Sequence, residues 1–189
     1  MSNGSPRAAS TAVSVLLLVA GAVVVLVALY SVSAIDFGPG ADASAPTVSD
    51  ASGNLTIDDT GSANPVVELT HVEGDTLEVE DVELVVTAQA ACGKSGRLVN
   101  LPAPDGDPSP PADYVRGDDI FDNSDDAVTG PIGEDNVTVD GTWSTGETAT
   151  FRLDGEACPL DTSKEIVVRI QHSPTTTVLA QLRLTPSAD

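Results

Sequence analysis

Few residues in this chain have the chemistry for a reactive or ligating site. It holds two cysteines, Cys92 and Cys158, two histidines, His71 and His172, and 29 acidic side chains against eight basic ones. An even cysteine pair outside the cell points to a disulfide. Two free thiols and a metal site are the alternatives, but two distant cysteines and two histidines lack the clustered spacing of a zinc site. Closing a loop of about 67 residues would stabilise the fold by at most roughly 4 kcal/mol in the chain-entropy model. His71 shares its parity with Val67 and Leu69, which predicts a hydrogen-bonded core position. His172 precedes Ser173-Pro174 and reads as a turn residue. No Ser–His–Asp spacing stands out among the abundant serines and aspartates, and no glycine-rich phosphate loop follows a strand. The expectation is no catalytic residue, no metal site, no cofactor and no enzyme activity.

Two further sites are defined by short motifs. Asn54-Leu55-Thr56 and Asn136-Val137-Thr138 are acceptors for N-linked sugar if the chain is exported. The segment Pro102 to Asp126 carries five prolines and eight aspartates and reads as a long loop, because proline removes backbone donors. Calcium takes six to eight oxygens, yet the ordered Asp-x-Asp-x-Asp-Gly spacing is missing here. A solvated acidic surface is the simpler reading, with calcium binding left open.

These residues must be held by strands. Leu55 and Ile57 alternate with Asn54, Thr56 and Asp58. The same period of two recurs at Val67, Leu69 and His71, at Val137 and Val139, and at Ala149, Phe151 and Leu153. It returns at Ile166, Val168 and Ile170 and at Ala180, Leu182 and Leu184. Alternation of this kind predicts half-buried strands. Gly74-Asp75, Asp140-Gly141, Thr145-Gly146 and Asp154-Gly155 supply turns between them. Many short strands joined by such turns predict a β-sandwich of immunoglobulin-like type over 47–189. Only a short helix within 112–128 is expected to interrupt it.

The charge distribution divides the 189 residues in two. Every acid lies at or after Asp36, and Arg7 is the sole basic residue before it. A formal charge of −21 excludes a general nucleic-acid binder, which needs lysine and arginine for phosphates. It also disfavours electrostatic attachment to anionic lipid headgroups. Such an excess of acid with only two lysines fits a halophile, where salt screens the repulsion.

Before Asp36 the composition is of another kind. The uncharged stretch Ala8 to Ile35 is about 28 residues, roughly 42 Å as a helix. That exceeds the roughly 30 Å hydrocarbon thickness of a bilayer. Its centre, Val15 to Leu29, is apolar on every face, and Tyr30 falls where an interfacial ring would sit. The positive-inside tendency places Arg7 and the N-terminus in the cytoplasm, with the acidic part outside. An ordinary signal peptide has an apolar core of about 7–15 residues, about half the length of this one. The small residues Ser31-Val32-Ser33-Ala34 keep that alternative open. The linker 37–46, rich in glycine and proline, ends the apolar segment.

Arg7-Ala8-Ala9-Ser10-Thr11-Ala12 and the apolar run after it resemble the N-terminus of haloarchaeal type IV pilins and archaellin-like subunits. Thr11 stands where that family usually has proline. A second, looser similarity to haloarchaeal pilin head domains runs from Val67 to Leu77, through Thr70-His71 and Gly74-Asp75. The resemblance implies a prepilin-type signal peptide over 1–8 and recognition of Arg7, Ala8 and Ala9 by a prepilin peptidase. Cleavage would follow Ala8 and leave the apolar segment 9–36 on the mature chain.

The expected architecture is therefore α+β: a long N-terminal transmembrane or filament-core helix followed by an all-β sandwich ectodomain. The expected function is a pilin-like structural subunit of an archaeal surface filament, serving adhesion or surface attachment. Its partners would be the membrane, the peptidase and other pilin subunits. It would reside in the cell membrane before assembly and at the cell surface or in a filament afterwards. The alternative is a single-pass, membrane-anchored extracellular binding protein that does not polymerise.

Overall fold

A computed structural model describes residues 44–57, 64–134 and 141–188, all within one compact unit, Ala43–Asp189. Alternating apolar residues lock the strand registers, since a slip of one position would turn the buried set to solvent. The first sheet has the order β14-β1-β2-β11-β8. Its members are β1 (Val48–Ile57), β2 (Val66–Gly74), β8 (Val128–Thr129), β11 (Thr148–Arg152) and β14 (Ser187–Ala188). Its pairs are antiparallel except β1 with β14, which run parallel.

The second sheet has the order β13-β12-β4-β5-β7, antiparallel throughout. Its members are β4 (Val82–Ala88), β5 (Lys94–Leu98), β7 (Val115–Gly117), β12 (Ile166–His172) and β13 (Thr177–Leu184). Two small pairs complete the set. β3 (Leu77–Glu78) joins β10 (Thr142–Trp143), and β6 (Ala103–Pro104) runs parallel to β9 (Gly133–Glu134). The chain changes between these sheets four times, from β2 to β4, β7 to β8, β11 to β12 and β13 to β14. Such crossings, with sequential strands separated in the sheet order, are of Greek-key kind.

One core serves both sheets. Leu55, Val67, Leu69 and Phe151 from the first sheet share a single cluster with Leu84, Val86, Leu98, Ile166, Val168 and Ile170 from the second. Each such side chain, fully buried, contributes about 1.5–3 kcal/mol of transfer free energy. Phe151 meets Phe121 with ring centroids 5.8 Å apart. Gly96 in β5 shows why a side chain is missing there. A Cβ at that position would stand 2.7 Å from the Asp118 carbonyl, 2.8 Å from Ile120 Cγ1 and 2.9 Å from Phe121 Cε2. The bare backbone lets the segment after β7 close onto the core.

The α+β expectation is corrected here. The described residues are β-rich, and their one α-helix is the four-residue α1 (Pro111–Tyr114), started by a proline at its first turn. No helix among them is long and apolar enough to cross a membrane. The segment 9–36, where a long helix was expected, lies outside the described residues. Immunoglobulin hallmarks are also missing. The disulfide joins two connections instead of facing strands, and the buried tryptophan, Trp143, sits on the two-residue β10. What stands is a β-rich fold with a disulfide.

Candidate functional site

Cys92 and Cys158 form the disulfide, with Cα atoms 5.3 Å apart. Cys92 lies in the tight turn after β4, where the amides of Ala91, Cys92 and Gly93 all donate to the Ala88 carbonyl. Cys158 is fully buried in the connection from β11 to β12. Asp154 builds that connection by accepting the Glu156 and Ala157 amides at 2.8 and 2.9 Å. The bridge therefore ties the β4–β5 hairpin to the chain passing between the two sheets.

Asn54 is exposed on β1, and its amide donates to Thr56 Oγ1 at 3.1 Å, so both motif residues lie on the outer face of the first sheet. Around them this face combines small hydroxyl side chains with the carboxylate of Glu68. Cross-strand register sets Ser52 opposite Thr70 and Thr70 opposite Thr148, while Asn54 opposes Glu68 and Glu68 opposes Thr150. The Thr70 and Thr148 hydroxyls are hydrogen-bonded at 2.8 Å. A sugar on Asn54 would project from a flat polar surface. Asn136, Arg7, Ala8 and Ala9 lie outside the described residues.

The histidines occupy one end of the two sheets. His71 is buried, as its parity predicts, with Nδ1 3.3 Å from the Trp143 carbonyl and its ring edge-on to Trp143 at 6.4 Å. Its Nε2 has no hydrogen-bond partner among the described residues. Trp143 Nε1 donates to the Glu147 carbonyl at 3.1 Å, which closes the turn leading into β11. His172 ends β12 and is 5% exposed. Its Nδ1 lies 2.8 Å from Thr175 Oγ1, and its Nε2 lies 3.8 Å from Asp81 Oδ2.

A pocket of about 230 Å³ opens beside His172, lined also by Ser44, Pro46, Leu77, Glu78 and Asp81. The hydroxyl–imidazole–carboxylate sequence has the residue types of a catalytic relay. Its geometry serves another purpose. Thr175 donates to Thr177 within the β12–β13 turn and does not line the pocket. The set staples a turn. The turn reading of His172 is corrected: it is the buried last residue of β12, and its neighbour Asp81 was missed because only the pairing of His172 with Val82 brings them together.

Two of the eight aspartates of 105–126 accept backbone amides. Asp118 Oδ2 accepts the Ser95 amide at 2.8 Å. Asp122 accepts the Ser124 amide at 3.0 Å and the Ser124 hydroxyl at 2.9 Å. Burial raises the Asp122 pKa, but hydrogen bonds from Asn64 and Ser124 and the charge of Arg152 outweigh it, holding the carboxyl below its ordinary value of 3.8. Asp161 is lowered too, chiefly by hydrogen bonds from the Ser163 side chain and backbone. Among the described residues, no group of three or more histidine, cysteine or carboxylate side chains could hold a metal ion. No family model, no curated protein and no solved structure matches this chain.

Proposed function

We propose that the chain is a type IV pilin-like structural subunit of an archaeal surface filament, serving adhesion or surface attachment. One observation carries this reading: the Arg7-Ala8 junction stands directly before an uncharged stretch reaching Ile35, on a chain that continues into acid-rich sequence. A prepilin peptidase would cut after Ala8 and leave the apolar segment attached. Gly21 with Ala12, Ala20, Ala22 and Ala28 would let such segments approach closely, the feature that drives association where no hydrophobic gradient exists. The disulfide and the exposed sugar acceptor at Asn54 suit an exported, glycosylated head. The acid excess suits strong salt.

The test is N-terminal sequencing of the membrane-extracted protein. The expected first residue is Ala9, and Arg7→Ala or Ala8→Leu leaves the precursor uncut. An intact start at Met1 or Ser2 makes the chain an anchored, non-polymerising binding protein instead. A start near Asp36 marks an ordinary signal peptide and overturns both readings.

A further inference from the structure

The outer face of the second sheet holds four of the eight basic residues of a very acidic chain. Inward positions of β4 and β12 are buried in strict alternation, so Glu83, Val85 and Thr87 and Val167, Arg169 and Gln171 face outward. Register then aligns one row across all five strands: Gln181, Arg169, Val85, Arg97 and Arg116. Arg183 adds a fourth guanidinium in the neighbouring row, opposite Val167. At roughly 4.8 Å between strands, the row spans about 19 Å. Glu83 is the one carboxylate projecting from these paired positions.

This arrangement works against the isolated sheet. Arg97 and Arg116 are direct cross-strand partners, and like charges so placed repel. Glu83 relieves Arg97 at 3.0 Å and Glu165 relieves Arg183 at 2.8 Å. No ion pair to a described residue engages Arg116 or Arg169. Arg116 donates to the Ala112 and Val115 carbonyls, and Arg169 Nε donates to Gln181 Oε1 at 2.8 Å. A guanidinium has five donors and takes a carboxylate in a two-pronged geometry, so both have donors to spare. Val85, Val167 and the 48% exposed Val178 supply apolar ground between them.

The complementary surface is on the same chain. Asp118, Asp119, Asp122, Asp125 and Asp126 fall within nine positions of the connection from β7 to β8, and all but Asp122 are exposed. That connection leaves the second sheet at its β7 edge, where Asp118 still bonds Ser95 of β5, and joins the first sheet at Phe121 and Asp122, so its later aspartates stand apart from the arginine row. We propose that the arginine face binds the Asp118–Asp126 segment of a second copy of this chain through guanidinium–carboxylate pairs. The contact is heterologous, face to edge, and such a contact repeats from copy to copy as a ring or an open array. It needs no filament and would form equally between anchored heads. Molar salt suits it, because a Debye length of about 3 Å hides the −21 of one copy from the next while pairs at contact distance persist.

The test compares full chains in detergent and molar KCl by sedimentation, so that association through the apolar segment is common to every sample. One variant carries Arg97→Glu, Arg116→Glu and Arg169→Glu; the other carries Asp119→Arg, Asp125→Arg and Asp126→Arg. Each alone is expected to self-associate about a hundredfold more weakly than the parent, and an equal mixture to recover most of that loss. Near-ultraviolet circular dichroism and an intact disulfide check the fold. Should the glutamate set misfold, the neutral Arg97→Gln, Arg116→Gln, Arg169→Gln set and the loop variant read the same contact. Unchanged self-association in folded variants overturns the proposal, as does a loss that mixing fails to restore. Binding of a polyuronate to the arginines with self-association unaffected overturns it in favour of an acidic polysaccharide partner.

Discussion

The two large sheets are alike inside and unlike outside. Inward, both present Leu, Val, Ile and Phe to one shared cluster. Outward, the first sheet presents Asn54 among serine and threonine with a single carboxylate, Glu68, beside it, while the second presents a row of arginines. Among the described residues, most of the acids are on neither outer face; they lie in turns and connections such as Asp118–Asp126 and Asp154–Glu165. Cross-strand neighbours stand close enough that like charges opposite one another are penalised. Turns splay their side chains apart, so an acidic chain can carry its charge there at lower cost. The sheet faces are then free for uncharged or opposite-sign residues.

Three measurements can break or sharpen this contrast. The largest effect is expected from the disulfide, which hangs from the arginine-bearing sheet at the β4–β5 turn. Cys92→Ser with Cys158→Ser should cost about 2–4 kcal/mol in denaturant unfolding. Hydrogen exchange should rise more in β4 and β5 than in β1 and β2. Equal loosening of both sheets would show that the bridge acts on the whole fold.

Next is Asp122, on the connection between the two sheets. Its folded pKa lies below the ordinary 3.8, so its stabilisation is present above the unfolded value and is lost as pH falls through the folded one. Asp122→Asn should cost about 1–2 kcal/mol near neutral pH. The deficit should shrink as the parent is acidified through that range, when unfolding is followed against pH. A deficit constant with pH would assign the effect to packing.

The smallest effect is on the hydroxyl face. Thr148→Val keeps the branched shape that a strand favours but removes the bond to Thr70, and should change stability by about 0.2–1 kcal/mol. Thermal unfolding checks it. A loss above about 2 kcal/mol would mean that this face is held by a cooperative hydroxyl network.

Several strands were legible because their alternation is strong. Val67 and Leu69, Phe151 and Leu153, and Ile166, Val168 and Ile170 are all buried, as their parity requires. Gly74, Gly141 and Gly146 take positive φ at turns read from their dipeptides. The alternation of β4 was missed, because Val85 is apolar yet faces outward and makes Leu84-Val85-Val86 look continuous. β5, with sequence Lys-Ser-Gly-Arg-Leu, carries almost no apolar pattern and exists through its pairing with β4. Ile120 and Phe121 were hidden among aspartates yet are buried core residues. The short helix expected in 112–128 proved to be the single turn α1. Of the site residues, the cysteine pair was legible from its number and the expectation of export. The arginine row was not, since Arg97, Arg116 and Arg169 are neighbours only through registers spanning four strands.

The parallel pairing of β1 with β14 has a mechanical consequence. Thr56 pairs with Ser187 and Ile57 with Ala188, so the two strands point the same way. A load applied at Ser44 and at Ala188 drags them in opposite directions along their length. The bonds of this two-residue pairing are then sheared together instead of being unzipped one at a time.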